Sequence, residues 1–337
     1  MALISISAAG CLRKKVTCMR IIKAMSIFIF FFFVALLSGE TAAEKRIGIL
    51  MFSDQARYTE ATRGFIDVLR EKGFTEDRTT ITTEEAGANK AKAAELVHEL
   101  AAQHMDLIFT VGTHATLAVA QKIKDLPIVF TEVYDPVAAG IANDWESSGN
   151  NTTGVSTKLP MTKVLDSLKQ FTPVKRLGVL YTPGEKNSEA QLRDLQDTQT
   201  GSGIKIIPAP IAKTEEIAQI LPLITKSTDA LYITGSNLVN SRIASIVDMT
   251  SRARTVTVTH LEDLVEQGVL LGVVPGSYLS GRLAGEMAVK ILLGAQPSSI
   301  PIEHPKDYKV VINLKTAGSG GFQVPPGFVQ TAGRTIE

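Results

Sequence analysis

The sequence has almost no cysteine, and both of its cysteines lie close to the N-terminus. Cys11 and Cys18 precede a long apolar run, and the rest of the chain contains none. This absence excludes disulfides, thiolate metal sites and a cysteine nucleophile from everything that follows the run.

An excess of charge of one sign is also missing. The chain has 35 Lys and Arg against 34 Asp and Glu, a net charge of +1. Residues 1–43 carry five basic residues and one acidic residue, so removing them takes away a charge of +4 and leaves −3. A mildly acidic body gives no electrostatic reason to expect nucleic acid or an anionic membrane as a partner.

The common catalytic and cofactor motifs are absent too. The sequence has no G-x-S-x-G elbow, P-loop, G-x-G-x-x-G, H-E-x-x-H or C-x-x-C. Its histidines, at positions 98, 104, 114, 260 and 304, include no i, i+4 pair of the kind that binds a metal on a helix. We therefore predict a protein with no metal, no cofactor and no enzymatic activity.

What the sequence does contain is an export signal. A basic stretch ending at Lys23 is followed by an apolar run over residues 24–37 and by small residues, with residues 41–43 as the expected cleavage site. This order is typical of a secretory signal peptide, here residues 1–43. The alternative is an uncleaved anchor, although the apolar core is short for the ~20 residues of a membrane span. No cysteine ends the run, so we expect a periplasmic protein that is not a lipoprotein.

After this leader, short β-rich runs alternate with amphipathic helical stretches. Residues 46–131 show the order βαβαβαβ, and residues 176–259 repeat it. Such alternation predicts mostly parallel sheets with helices on both faces. The sequence therefore predicts an α/β fold of two doubly wound parallel-sheet lobes, with a crossover near residues 150–157. Periodicity leaves open whether the segments after Gly268 extend the second sheet or cross back to the first lobe.

Ligands bind to doubly wound sheets outside the carboxyl ends of the strands. Most loops expected on that side are short and polar, and two facing lobes form a cleft that closes by hinge motion. For most of their polar residues the alternative role is to cap the following helix. The candidate ligand-binding residues are Arg57, Tyr58, Thr113, His114, Asp135, Glu185, Asn187, Ser188, Ser236, Asn237, Glu262 and Tyr278.

Three of these loops suggest particular chemistry. Arg57 is suited to pairing with a carboxylate, and the small residues around Thr113 suit an anionic group at a helix N-terminus. Asp135 either holds a ligand amine or fixes the turn before Pro136.

Several segments resemble ABC-transporter substrate-binding proteins of the tryptophan/tyrosine type. The resemblance covers nearly all of the chain after the leader, in order. The segments include LPIVF at 126–130, DPVAAG at 135–140, NTTGVS at 151–156, LGVLY at 177–181, DALY at 229–232 and VINLKTA at 311–317.

The resemblance implies a type 1 periplasmic-binding fold with three crossings between the lobes. It places residues 44–172 and 268–297 in the first lobe, and residues 173–267 and 298–337 in the second. It further implies a receptor that delivers a small solute, an amino acid in some members, to an inner-membrane ABC permease with a cytoplasmic ATPase.

Two departures from the family pattern leave the ligand open. Ser236 stands before Asn237 where the family usually has an acidic residue, and residues 272–281 lack the acid of the corresponding family segment. An acid that would hold an α-amino group is thus missing twice. Two other functions stay open from the sequence: a membrane-anchored sensory domain that keeps its leader, and a secreted hydrolase that uses Asp135 or Glu262.

Overall fold

The first of two sheets contains five parallel strands in the order β2-β1-β3-β4-β5. The computed structural model describes residues 44–337, so the predicted signal peptide and its cleavage site lie outside the described residues. Strands β3 and β4 are buried along their whole length, which explains why both read as nearly continuous apolar runs. The strands are β1 Lys45–Met51, β2 Thr79–Glu85, β3 Leu107–Val111, β4 Ile128–Val133 and β5 Thr152–Ser156.

Three helices connect the first four strands: α1 Ala56–Glu71, α2 Lys90–Ala102 and α3 Thr113–Lys122. Asn89 caps α2 by accepting hydrogen bonds from two backbone N–H groups. Phe65 on α1 stacks on Phe109 of β3 with ring centroids 3.8 Å apart. This pair lies within the hydrophobic core of the first lobe.

The second sheet has seven strands in the order β12-β11-β10-β9-β8-β6-β7, parallel except for the pair β10–β11. They are β6 Arg176–Tyr181, β7 Lys205–Pro210, β8 Ala230–Ile233, β9 Val256–Thr259, β10 Leu271–Val274, β11 Lys309–Asn313 and β12 Arg334–Ile336. The remaining α-helices are α4 Met161–Phe171, α5 Lys186–Asp197, α6 Gln199–Ser202, α7 Ile217–Ser227, α8 Asn237–Asn240, α9 Ile243–Arg252, α10 Glu262–Glu266, α11 Ser277–Leu292, α12 Leu314–Gly320 and α13 Phe328–Thr331. Short 3₁₀ helices occupy Thr214–Glu216 and Pro297–Ser299.

Helix α11 packs against α1 of the first lobe at very short range. A Cβ atom placed on Gly281 would lie 1.9 Å from the carbonyl oxygen of Ala61, so only glycine permits this approach. The contact holds the N-terminus of α11, including Ser277, beside the carboxyl end of β4.

All three lobe boundaries differ from those that the resemblance implies: the first lies earlier in the chain, because α4 packs in the core of the second lobe, and the other two lie later. Strand β10 pairs with β9 and β11, so the segment after Gly268 extends the second sheet before α11 crosses back. Residues 300–303 run beside β5, where the N–H of Ser156 donates to the carbonyl oxygen of Glu303 at 2.7 Å. The resemblance implied the expected bounds, and hydrophobic periodicity could not correct them, because it identifies a strand but not its sheet.

Three segments therefore connect the lobes. Residues 157–160 join β5 to α4, residues 275–276 join β10 to α11, and residues 304–308 precede β11. The structure thus has the predicted α/β architecture of two lobes built on largely parallel sheets.

Candidate functional site

The carboxyl ends of strands from both lobes border one small pocket. Its volume is about 20 Å³, about enough for one water molecule. Pockets for small molecules usually enclose ~300–1,000 Å³. Beside this pocket Arg57 contacts Asp263 and His114 contacts Asn237, so the two lobes are closed on each other in this structure. The lining residues are Arg57, Tyr58, Thr113, His114, Glu132, Tyr134, Thr157, Asn187, Gln191, Gly235, Asn237, His260 and Leu261.

A buried ion pair joins the two lobes at this pocket. Arg57, at the start of α1, donates a hydrogen bond from Nη1 to Oδ2 of Asp263 on α10 at 2.5 Å. Their side chains are 4% and 3% exposed. Burial by itself lowers the pKa of Arg57, but the attraction of Asp263 and other neighbours outweighs it and raises the pKa overall. The guanidinium therefore stays charged, and removing it would leave a buried carboxylate without a cation.

Glu132, at the end of β4, brings a second carboxylate to this pair. Its Oε2 lies 4.0 Å from Nε of Arg57, and its Oε1 has no hydrogen-bond partner. Burial raises the pKa of Glu132 from 4.5 to about 7, while Arg57 and a hydrogen bond with Ser277 oppose this only in part. Its backbone φ of 56° lies in the left-handed region that few residues other than glycine adopt. Buried, strained and perturbed residues of this kind cluster at functional sites.

Side-chain amides form the second-lobe wall of the pocket. Asn187 donates from Nδ2 to the carbonyl oxygen of Gly235 at 2.6 Å, and the N–H of Gly235 donates to Oε1 of Gln191 at 2.9 Å. Asn237 donates from Nδ2 to Oε1 of Glu185 at 2.6 Å. The Oδ1 atoms of both asparagines have no partner. The hydrogen bonds that the Nδ2 atoms donate therefore fix the orientation of these side chains, and the Oδ1 atoms remain free to accept hydrogen bonds.

Two histidines contribute to the pocket in different ways. His114 places Nδ1 3.4 Å from Nδ2 of Asn237, a contact between the lobes. His260 is buried against Tyr134, edge to face at 5.4 Å, and its Nδ1 lies 2.8 Å from the hydroxyl of Tyr232. Burial, with a smaller effect from Arg57, lowers the pKa of His260 to about 3. It is therefore neutral at physiological pH.

Half of the residues predicted from the sequence meet at this pocket. They are Arg57, Tyr58, Thr113, His114, Asn187 and Asn237.

Glu185, Ser188 and Ser236 lie next to these residues without lining the pocket. Glu185 holds Asn237 through its Oε1, and Ser188 bonds the hydroxyl of Thr234 at 2.7 Å. Ser236 caps α8, the alternative role considered for such residues. Asn187 and Ser188 do not take the alternative role of capping the next helix, because α5 begins at Lys186, before either residue.

The last three predicted residues lie elsewhere. Asp135 pairs with Lys158 at 2.8 Å and also accepts from a backbone N–H in its own turn. Glu262 and Tyr278 line a neighbouring groove of about 410 Å³, which Arg57 also lines. In that groove Glu262 pairs with Arg334 at 2.6 Å.

Sequence reasoning did not select several residues that line the pocket, nor the acid that pairs with Arg57 beside it. Glu132 was hidden because it ends an apolar strand, although an acid in a buried strand is itself a signal. Gln191 stands four residues after Asn187 on α5, a spacing that puts both on one helix face. Asp263 was overlooked in favour of its neighbour Glu262, yet it is Asp263 that points into the protein.

Neither a metal centre nor a membrane span is found in residues 44–337. In this range, no three His, Cys, Asp or Glu side chains come together in a way that could hold a metal ion. Over the same residues, none of the helices has both the length and the apolar character needed to cross a bilayer.

Comparison with known proteins identifies the family and the fold. A tyrosine-binding protein of Clostridioides difficile (strain R20291) is 27% identical over 279 residues, 82% of this chain and 81% of its own. A solved ABC domain from Streptococcus pneumoniae in complex with L-Trp is 28% identical, with a TM-score of 0.82 over 87% of this chain and 100% of that chain.

The ligand-free, open structure of a substrate-binding protein with adhesive properties from Clostridium difficile has the same identity and coverage, with a TM-score of 0.71. The family model for ABC transporter substrate binding proteins matches residues 46–336. The chain therefore belongs to the ABC transporter substrate-binding protein family.

Proposed function

We propose that this protein is the extracytoplasmic receptor of an ABC uptake transporter. After cleavage of residues 1–43 it acts in the periplasm without a lipid anchor and captures a small solute between its lobes. It then presents the solute to a permease in the inner membrane that is driven by a cytoplasmic ATPase. The two relatives that bind tyrosine and L-Trp support an amino acid or a solute of similar size.

The observation that carries this proposal is the pocket itself. Residues from both lobes line it, and several buried side-chain oxygens there lack a donor. Buried polar atoms are nearly always hydrogen-bonded in folded proteins, so the free acceptors that line this pocket are available to a polar ligand.

The arrangement of the lobes supports capture by hinge closure. At equal identity and coverage, the structure is more similar to the relative with bound L-Trp than to the open, ligand-free one. A cavity of about 20 Å³ admits no solute of amino-acid size. We therefore infer that the connections at residues 157–160, 275–276 and 304–308 flex to open the cleft before the ligand enters.

A thermal-shift screen of the mature protein tests this function. A ligand at 100 to 1,000 times its Kd stabilises the folded protein by ~3–4 kcal/mol. We expect at least one compound from a panel of amino acids, purines and small carboxylates to raise the Tm. A panel without any shift, together with turnover of one of its members, would contradict a receptor and favour an enzyme.

A further inference from the structure

The pocket residues contain three buried oxygen atoms without a hydrogen-bond donor. They are Oε1 of Glu132, Oδ1 of Asn187 and Oδ1 of Asn237. Glu132 comes from the first lobe and the two asparagines come from the second. A ligand held between them would thus meet acceptors from both sides.

The amide orientations that leave these oxygens free are set by hydrogen bonds. The Nδ2 atom of Asn187 is bonded to a carbonyl oxygen and that of Asn237 to a carboxylate oxygen, both at 2.6 Å. Turning either amide around would place an oxygen against an oxygen. The free atoms are therefore acceptors, and a ligand group that satisfies them must donate several hydrogen bonds.

The charges around Glu132 favour a cationic donor. From α1 it faces Arg57 and Tyr58, from α10 Asp263, and from α11 the hydroxyl of Ser277. Arg57 is the single cation in this group. It donates its short hydrogen bond to Asp263, and its Nε lies 4.0 Å from Oε2 of Glu132. With both carboxylates ionised the buried cluster lacks one positive charge.

We propose that the ligand carries a protonated nitrogen, and that Glu132 is the specificity-determining residue that pairs with it. This inference rests on the receptor function proposed above. A neutral Glu132 releases its proton to solvent when the cation arrives, and the carboxylate and the ligand then form the missing ion pair. An ammonium group has three N–H donors and no acceptor, so it can supply hydrogen bonds that these free oxygens lack.

This pairing makes capture depend on pH. Glu132 has a pKa of about 7, so at pH 6 most of the closed protein must lose a proton in order to bind, whereas at pH 8 little of it must. Affinity for a ligand that stays protonated over this range is then about tenfold lower at pH 6 than at pH 8. The Glu132→Gln variant lacks this dependence, while Glu132→Asp retains it.

Calorimetric titration with paired compounds tests the proposal. The probes are L-tyrosine and L-tryptophan, their counterparts without the amino group, and any compound that mass spectrometry identifies in natively purified protein. We expect binding only by compounds with a basic nitrogen, a loss of at least tenfold in Glu132→Gln at pH 8, and wild-type affinity in Glu95→Gln, an exposed control on α2. Melting curves check that each variant is folded.

Three results would decide against the inference. Equal binding of the compounds without the amino group overturns it, as does unchanged affinity in Glu132→Gln. A co-purified ligand without a basic nitrogen overturns it while leaving the receptor function standing. If no compound binds and none co-purifies, the receptor function fails and the inference fails with it.

Discussion

Nη1 of Arg57 in the first lobe lies 2.5 Å from Oδ2 of Asp263 in the second, and both side chains are buried. This ion pair crosses the cleft beside the pocket. The closed arrangement thus has its own link between the lobes, which a ligand must join or displace. Because both partners are buried, losing one is more costly than losing an exposed ion pair.

Replacing Arg57 with alanine should open the lobes. In a closed cleft the variant would leave Asp263 and Glu132 buried without a cation, at a cost of ~3–5 kcal/mol. Opening lets water solvate both carboxylates. Small-angle scattering should therefore give a larger radius of gyration than for the wild type, and ligand affinity should fall.

The matched control is Arg282→Ala. Arg282 forms a two-point pair with Glu71, at 2.8 and 2.7 Å, on the surface between α11 and α1 of the first lobe. Exposed pairs contribute little to stability, and this one does not cross the cleft. The control should keep the wild-type radius, and a wild-type radius in Arg57→Ala as well would refute the role of Arg57 in closure.

The Glu132→Gln variant should alter the dependence of stability on pH. The pKa of Glu132 is raised from 4.5 to about 7, so between these values the folded protein binds more protons than the unfolded chain. Ionisation of Glu132 thus lowers wild-type stability as the pH rises through this range. A tenfold change in an ionisation constant is worth about 1.4 kcal/mol.

Without ligand, the free energy of unfolding of Glu132→Gln, relative to that of the wild type, should accordingly rise by up to about 3 kcal/mol between pH 4 and pH 8. Chemical denaturation at the two pH values measures this gain. If the two proteins keep the same stability difference at both pH values, the carboxyl is not buried as described.

Replacing Asn187 or Asn89 with alanine should have different effects: the first should lower ligand affinity, and the second should lower stability. Asn187→Ala removes a free pocket acceptor, so we expect affinity to fall about tenfold, the value of one hydrogen bond. Asn89 does not line the pocket, and Asn89→Ala removes the cap of α2, so it should cost about 1 kcal/mol of stability with unchanged affinity. Calorimetric titration and denaturation of both variants provide the test. If Asn187→Ala binds the ligand as tightly as the wild type, Asn187 does not contact the ligand.

His260 should make the protein sensitive to acid. Its pKa is lowered from 6.5 to about 3, so between these values the unfolded chain binds a proton that the folded protein does not. Wild-type stability should fall by about 1.4 kcal/mol per pH unit as pH drops through this range, in addition to the losses of other groups.

Denaturation experiments at several pH values test this expectation. His260→Asn should lose this part of the dependence of stability on pH, whereas His98→Asn, at an exposed residue on α2, should keep it. Parallel slopes for the wild type and His260→Asn would contradict the burial of a neutral imidazole.

The alternation of strands and helices could be predicted from the sequence, because buried parallel strands such as β3 are short apolar runs between amphipathic helices. The sheet to which β10 belongs could not be predicted, because its pairing with β9 and β11 depends on contacts between residues distant in sequence. Loop positions pointed to Arg57, Asn187 and Asn237, because every strand of a doubly wound lobe ends at the same side.

The two acids beside Arg57 were harder to predict. Glu132 belongs to a strand whose pattern says only that it is buried. Asp263 and Glu262 are adjacent on α10, and only the packing of the lobes decides that Asp263 meets Arg57 while Glu262 meets Arg334. The sequence suggested that an acid for a ligand amine was missing, and we propose that Glu132 at the end of β4 takes that role.

Native mass spectrometry of the mature protein, purified without denaturation, tests the central claim most directly. We predict one small molecule bound per chain, reduced or lost in a variant that combines Arg57→Ala with Asn187→Ala. A wild-type protein that carries no small molecule, and takes up none from a periplasmic extract, would contradict the account of a solute receptor.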